Sequence, residues 1–266
     1  QLRARRRPRR SPRVAARRRC RRARARDVTV DSRGAPALYD PADERLLADY
    51  VAGDAWRGAG IKHALRHIPR TSQRVLDIGC GVGWSTRELG RLLPAARVTG
   101  IDTSAARIHL ATRLTRASNV DYAVQDVLSE NWDHGRTYDA IILLDVYEHV
   151  PAAVRPRFHQ RLAKLLGERG VVILAGPSPE HQAYLRRHNP DGLQPVDEDV
   201  DEAALTAAAL GMGARLVMFE SVKVWRPNDH ARAVIVRPAA ALPRAVVHRR
   251  PEVAVALDEA PRHEAA

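Results

Sequence analysis

The segment Arg74-Val75-Leu76-Asp77-Ile78-Gly79-Cys80-Gly81-Val82-Gly83-Trp84 carries the strongest structural signal in the chain. It opens with a short apolar run of the kind that forms a buried parallel strand. Three glycines follow at alternate positions, 79, 81 and 83, and then a helical pattern over residues 85–93. Strand, glycine loop and helix is the layout of a nucleotide site at the carboxyl end of a strand. Without a Cβ, glycine lets the backbone turn sharply and lets a ligand approach it closely. An ordinary tight strand-to-helix turn could also use glycines here, so the rest of the chain must decide.

Three similar motifs can be told apart on these residues. A phosphate-cradling loop ends in Gly-Lys-Ser/Thr, and this loop has no lysine. The dinucleotide fingerprint is G-x-G-x-x-G; here the third glycine comes one residue early and Trp84 fills the expected place. What remains is Asp-x-Gly-x-Gly-x-Gly, which resembles motif I of the class I S-adenosylmethionine-dependent methyltransferases. The resemblance implies that the loop wraps the amino-acid end of the cofactor. It also implies that Asp77 helps to hold the cofactor's ammonium group, often through water.

Strand and helix alternate after the loop. Arg97-Val98-Thr99-Gly100-Ile101-Asp102 reads as a second strand ending in an acid, 25 residues beyond Asp77. That is close to the spacing at which an acid meets ribose hydroxyls in nucleotide folds. Thr103 and Ser104 are placed to cap a helix over 105–116. A third strand, residues 120–127, carries Gln125, Asp126 and Val127 at its end. The resemblance implies that Asp126 meets the adenine amine and that the next amide meets a ring nitrogen. Each acid alone could be a polar strand end, but three acids at successive strand ends behind a glycine loop form a pattern.

Tyr138-Asp139-Ala140-Ile141-Ile142-Leu143-Leu144-Asp145 reads as a central strand buried on both faces. The following Val146-Tyr147-Glu148-His149-Val150-Pro151 is similar to the motif IV region of small-molecule methyltransferases, including the ubiquinone-biosynthesis O-methyltransferases. A helix from about Pro156, ended by Gly167 and Gly170, leads to a fifth strand over 171–175. Residues 176–198 are polar and long for such a connection. They are expected to be either an insertion that grips an acceptor, through His181 and Tyr184, or a surface excursion. A helix over 201–210 precedes two apolar runs, 214–225 and 231–237, joined by a Pro227-Asn228-Asp229 turn and expected to pair as an antiparallel hairpin. The expected fold is therefore α/β: a doubly wound, seven-stranded, mostly parallel sheet closed by a C-terminal hairpin.

Ahead of the loop, residues 36–70 read as two helices that could lid a ligand. Tyr39 and Trp56 could touch it there, although Trp56 also fits simple core packing. The formal charge of +13 is unevenly placed: residues 1–26 hold fourteen arginines and no acid. Of the totals of 44 basic and 31 acidic side chains, the remainder keeps 30 and 31. A block of this kind cannot bury a core. It fits either phosphate contacts with nucleic acid or translated sequence upstream of a true start. Residues 1–35 and 239–266 are expected to be disordered tails, and 71–238 the methyltransferase domain. Cys20 and Cys80 make no disulfide framework, and no apolar run is long enough to span a membrane. Both points lead to the expectation of a cytoplasmic protein.

The resemblance implies an enzyme that uses S-adenosylmethionine to methylate an oxygen or nitrogen of a small molecule. Asp77, Gly79, Cys80, Gly81, Gly83, Trp84, Asp102, Thr103, Gln125, Asp126, Val127, Leu144 and Asp145 would hold the cofactor. Tyr39, Glu148, His181 and Tyr184 would face the acceptor. His149, whose ordinary pKa lies near neutrality, is the candidate base, or else a cap or wall of the site. No acid pair with a nearby Asn suggests a metal. Leu144-Asp145-Val146-Tyr147 stands where nucleic-acid and protein-amine enzymes of this class carry Asn/Asp-Pro-Pro-Tyr/Phe, so a nucleic-acid partner is not expected. An RNA methyltransferase using the arginine block and a non-catalytic cofactor-binding scaffold are the alternatives.

Overall fold

The computed structural model describes residues 47–48, 50–53, 55–129, 132–133, 135–190 and 193–237. Tyr39 and both expected tails lie outside them, as does the side chain of Trp56. The first expected helix is seen only in residues 47–52, helical wherever they are described. The second is α1, Ala55–Leu65.

Seven strands form one sheet in the order β3-β2-β1-β4-β5-β7-β6. The central pair is β1 (Arg74–Ile78) and β4 (Tyr138–Leu144), parallel with Leu76 beside Ile141. β2 (Arg97–Asp102) and β3 (Val120–Val124) extend one side in parallel. β5 (Leu166–Pro177) extends the other. β7 (His230–Val236) then pairs antiparallel with both β5 and β6 (Arg215–Val222), so the expected hairpin closes the sheet with its second strand inside.

The near-continuous apolar runs are explained by burial on both faces. Alternate side chains point to opposite sides of a sheet. Leu76, Ile78, Ile141 and Leu143 join one apolar cluster, with Phe158, Leu162 and Leu165 of α4 (Arg155–Leu165) and Leu205 of α6 (Glu202–Gly211). Val75, Ala140 and Ile142 join the other, with Leu65 of α1 and Leu89 of α2 (Trp84–Leu92). The remaining helices are α3 (Ala105–Leu114) and α5 (Pro179–His188). Ser104, Ser178 and Asp201 each cap a helix, accepting the N–H of the residue three positions on.

Three boundaries differ from the sequence reading. β3 ends at Val124 because Asp126 folds back on itself: its carboxylate accepts the Leu128 N–H and its carbonyl the Ser129 N–H. β5 starts directly after α4, with buried Leu166 paired to Tyr138, and Gly167 and Gly170 fall in an irregularity of the β4–β5 pairing instead of a linker. The segment 176–198 is in large part regular structure, since it holds the end of β5 and all of α5.

Candidate active site

The glycine loop lies at the carboxyl ends of β1, β2 and β4, where the strand order reverses direction. Gly79, Gly81 and Gly83 have φ of 68°, 54° and 84°. All three lie in the left-handed region that glycine enters without penalty. At Gly79 a Cβ would also stand 2.5 Å from Cγ2 of Val146. Gly83 is hemmed in by the Tyr122 ring and the Ala111 methyl.

Two carboxylates organise this loop from behind. Asp77 is 1 % exposed, and its Oδ2 accepts the hydroxyls of Ser85 and Thr86, each at 2.6 Å. Burial pushes its carboxyl up to about 6, against the pull of the two hydroxyls and with a push from the neighbouring Asp102. Asp102 accepts the Gly81 N–H at 3.0 Å on Oδ2 and the Ser104 N–H at 2.8 Å on Oδ1. Each carboxylate oxygen has a second acceptor site, so Asp102 keeps capacity for further donors. Burial drives the Cys80 thiol well up, which leaves it protonated and unreactive at neutral pH.

Two cavities flank the loop and share Gly79, Arg107, Asp145 and Gln194. The first, about 320 Å³, has Cys80, Gly81, Trp84 and Leu144 on its floor. Its far wall is Arg57, Gly60 and Ile61 of α1 together with Trp225, His230 and Arg232. The second, about 370 Å³, is lined by Asp102, Thr103, Gln125, Asp126, Val127 and His149 among others. The strand-end acids of β2 and β3 thus stand in one cavity and Arg57 and Arg232 in the other, with Arg107 lining both. Asp145 stands at the junction with φ 54°, uncommon for a residue with a side chain. Such outliers cluster at functional sites. Its oxygens lie 3.7 Å from Nη1 of Arg57 and 3.8 Å from Nε2 of His230.

Most of the residues expected from the sequence to hold a cofactor therefore line these two adjoining cavities. Asp77, beneath the loop, and Gly83, within it, are exceptions. Glu148 is buried under the cleft beside Tyr147 and Gly176, and burial, with Asp145 and Asp197 nearby, raises its carboxyl well above the ordinary range. His149 lines the cavity of the strand-end acids. Its Nδ1 is 2.9 Å from the Val196 carbonyl and 3.0 Å from Oδ1 of Asp197, and its Nε2 is 3.0 Å from the Gln194 amide. His181 and Tyr184 stack on one another along α5 at 6.3 Å and line neither cavity.

The sequence reading missed Arg57, Trp225, His230 and Arg232. The last three sit in or beside a strand that reads as plain apolar hairpin. Only the alternation of His230, Arg232 and Val234 hints that two polar side chains share one face with core residues. Asp229, next to this group, accepts the N–H groups of Val224, Trp225 and Arg226, each at 2.7 Å. Burial would raise its carboxyl, but these three donors hold it below the ordinary range, so it stays ionised.

Residues 75–170 match the family model described as a methyltransferase domain. The chain is 35 % identical over 108 residues to a ubiquinone biosynthesis O-methyltransferase of Rhizobium leguminosarum bv. trifolii, covering 40 % of this chain and 41 % of that one. It is 33 % identical over 141 residues to the enzyme of the same name in Rhodopseudomonas palustris, covering 50 % and 54 %. The chain thus spans about half the length of these curated relatives. Among solved structures it is similar to the magnesium protoporphyrin IX methyltransferase of Synechocystis PCC 6803 with bound SAH. The TM-score is 0.55 at 20 % identity, over 69 % of this chain and 84 % of that one. That likeness is one of fold.

Proposed function

We propose, for a chain whose residues 75–170 match the methyltransferase-domain family model, that this protein is a class I S-adenosylmethionine-dependent methyltransferase and methylates an oxygen or nitrogen of a small molecule. The observation that carries the proposal is the pair of adjoining cavities, in which strand-end acids line one side of the glycine loop and a cationic and aromatic cavity opens on the other. The names of the curated relatives, O-methyltransferases of ubiquinone biosynthesis, favour a small-molecule acceptor.

The residues present suit S-adenosylmethionine. Asp102 would accept the ribose hydroxyls, since its carboxylate keeps acceptor sites beyond its two backbone bonds. Asp126, Gln125, Val127 and Thr103 would wall the adenine end. Gly79, Cys80, Gly81, Trp84, Leu144 and Asp145 would enclose the amino-acid end, with Asp77 and Gly83 keeping the loop in shape. When bound, the cofactor supplies a methyl group activated on a sulfonium, which an acceptor takes by in-line displacement.

The chain's own task is to position the acceptor and take its proton. Holding two reactants in line removes much of the entropic barrier. α1 covers the first cavity like a lid and helps to exclude water. His230 is the histidine that lines this cavity, and we assign it the base role that the sequence pattern suggested for His149. Its Nδ1 faces Oδ1 of the ionised Asp229 at 3.4 Å. Nδ1 makes no hydrogen bond among the described residues, and closing this contact would place the proton on Nδ1 and leave the lone pair on Nε2. Such contacts are often long before a substrate tightens them. His149, engaged at both ring nitrogens by residues 194–197, holds that segment across the mouth of the cleft.

Calorimetric titration with S-adenosylmethionine tests the reading. Binding is expected in the wild type and roughly ten- to a hundredfold weaker in Asp102→Ala, the cost of a lost charged hydrogen bond. Absence of binding in the wild type, or equal affinity in a folded Asp102→Ala, would overturn it. A scaffold would bind the cofactor yet form no S-adenosylhomocysteine with any acceptor.

A further inference from the structure

The wall of the first cavity carries a buried guanidinium that the fold pairs through charge alone, at long range and, among the described residues, without a hydrogen bond at Nη1. Arg232 is 4 % exposed and lies on the β7 face covered by α1, the face it shares with the core residues Val234 and Val236. Among the described residues its Nη1 has no hydrogen-bond partner. The nearest acid, Glu220 on β6, stands opposite it in the sheet with Oε1 at 3.6 Å, beyond hydrogen-bonding range. The same Glu220 oxygen is shared with Arg66, whose Nη2 lies 3.5 Å away. One carboxylate therefore faces two guanidinium groups.

The neighbouring histidines do not alter this balance. Burial, then the nearby Arg232 and Arg66, push His63 down to about 4, and His67 is lowered by burial and by Arg66. Both are uncharged at neutral pH. Burial likewise pulls Arg232 down to about 10, against the support of Glu220. It therefore remains charged at neutral pH while held away from water. A buried charge without full hydrogen bonding is costly. A planar guanidinium presents five donors that match a carboxylate or phosphate. Arg57, which also lines this cavity, lies 3.7 Å from Asp145.

We propose that the methyl acceptor carries an anionic group, a carboxylate or a phosphate, and that Arg232 anchors it in the cavity between α1 and β7. The proposal rests on the methyltransferase reading and names the substrate class for its acceptor cavity. The anchor fixes one end of the acceptor, and His230, two residues away on the same strand face, meets the other. Arg232 is a binding residue and takes no part in proton transfer.

The test uses the full chain saturated with S-adenosylhomocysteine. Benzoate, octanoate and phenyl phosphate are titrated by calorimetry against their neutral counterparts benzamide, octanamide and phenol. At least one anion is expected to bind tenfold or more tightly than its counterpart, the scale of a charge-assisted hydrogen bond. That preference should vanish in Arg232→Met paired with Glu220→Gln, which removes both charges and leaves no uncompensated acid. S-adenosylhomocysteine affinity, measured in the same preparations, reports that the variant is folded. Absence of anion preference in the wild type, or an unchanged preference in the folded double variant, overturns the proposal. Loss of S-adenosylhomocysteine binding by the wild type would instead overturn the methyltransferase reading.

Discussion

Asp77 shows how one residue sets the loop at a cost. Its carboxyl ordinarily titrates at 3.8 and here at about 6. The folded chain holds that proton more tightly than the unfolded chain, so Asp77 is harmless at pH 3.8 and increasingly destabilising as the pH climbs to 6. The cost above that window is on the order of 3 kcal/mol. Asp77→Asn keeps an acceptor for Ser85 and Thr86 without the charge. Without cofactor, its melting temperature should gain on the wild type between about pH 4 and 6 and hold a constant lead above. A difference independent of pH would show that Asp77 is not the titrating group. The two histidines separate by kinetics. His230→Gln should lower kcat by roughly 10²–10⁴, the usual yield of a general base, with cofactor affinity nearly intact. His149→Gln should change kcat far less. If the effects are reversed, the proton goes to His149.

At the scale of elements, the β1–α2 loop is built against its neighbours. Gly79 must combine a φ of 68° with the Val146 side chain standing where a Cβ would be. Gly79→Ala therefore meets both backbone strain, about 1–2 kcal/mol for a left-handed residue, and a clash with the residue that follows Asp145. Cofactor affinity should fall sharply. Gly79→Ala with Val146→Ala should recover the part due to the clash and leave the strain, readable as partial recovery of melting temperature. Full recovery would mean that the left-handed conformation is not required. The glycines and the three strand-end acids could be read from the sequence because strand, turn and helix signals are local. β3 ended early for an equally local reason, the Asp126 turn, which the strand-like alternation of residues 120–127 concealed. The early start of β5 had no such signal, since it depends on Leu166 pairing with distant Tyr138.

For the whole molecule, charge and fold are separable. The fourteen arginines of residues 1–26 sit ahead of a remainder with nearly balanced charge. Removing residues 1–26 should leave melting temperature and cofactor affinity unchanged, because an arginine block offers no apolar surface to bury. A fall of several degrees would show that the segment packs on the domain. Among the described residues no helix is long and apolar enough to cross a membrane.

The alternation of apolar runs with helical patterns was enough to dictate a parallel sheet with a closing hairpin, because burial on both faces demands unbroken apolar strands. Asp-x-Gly-x-Gly-x-Gly, with acids at the next two strand ends, was enough to locate the loop cleft, because strand ends gather on one side of such a sheet. The other wall of the cleft could not be read in this way. Arg57 lies before the loop in sequence, and His230 and Arg232 lie more than a hundred residues after it. They meet only because β7 inserts beside β5 and α1 folds over it. That meeting depends on strand order and long-range packing, for which no local run of residues carries a signal.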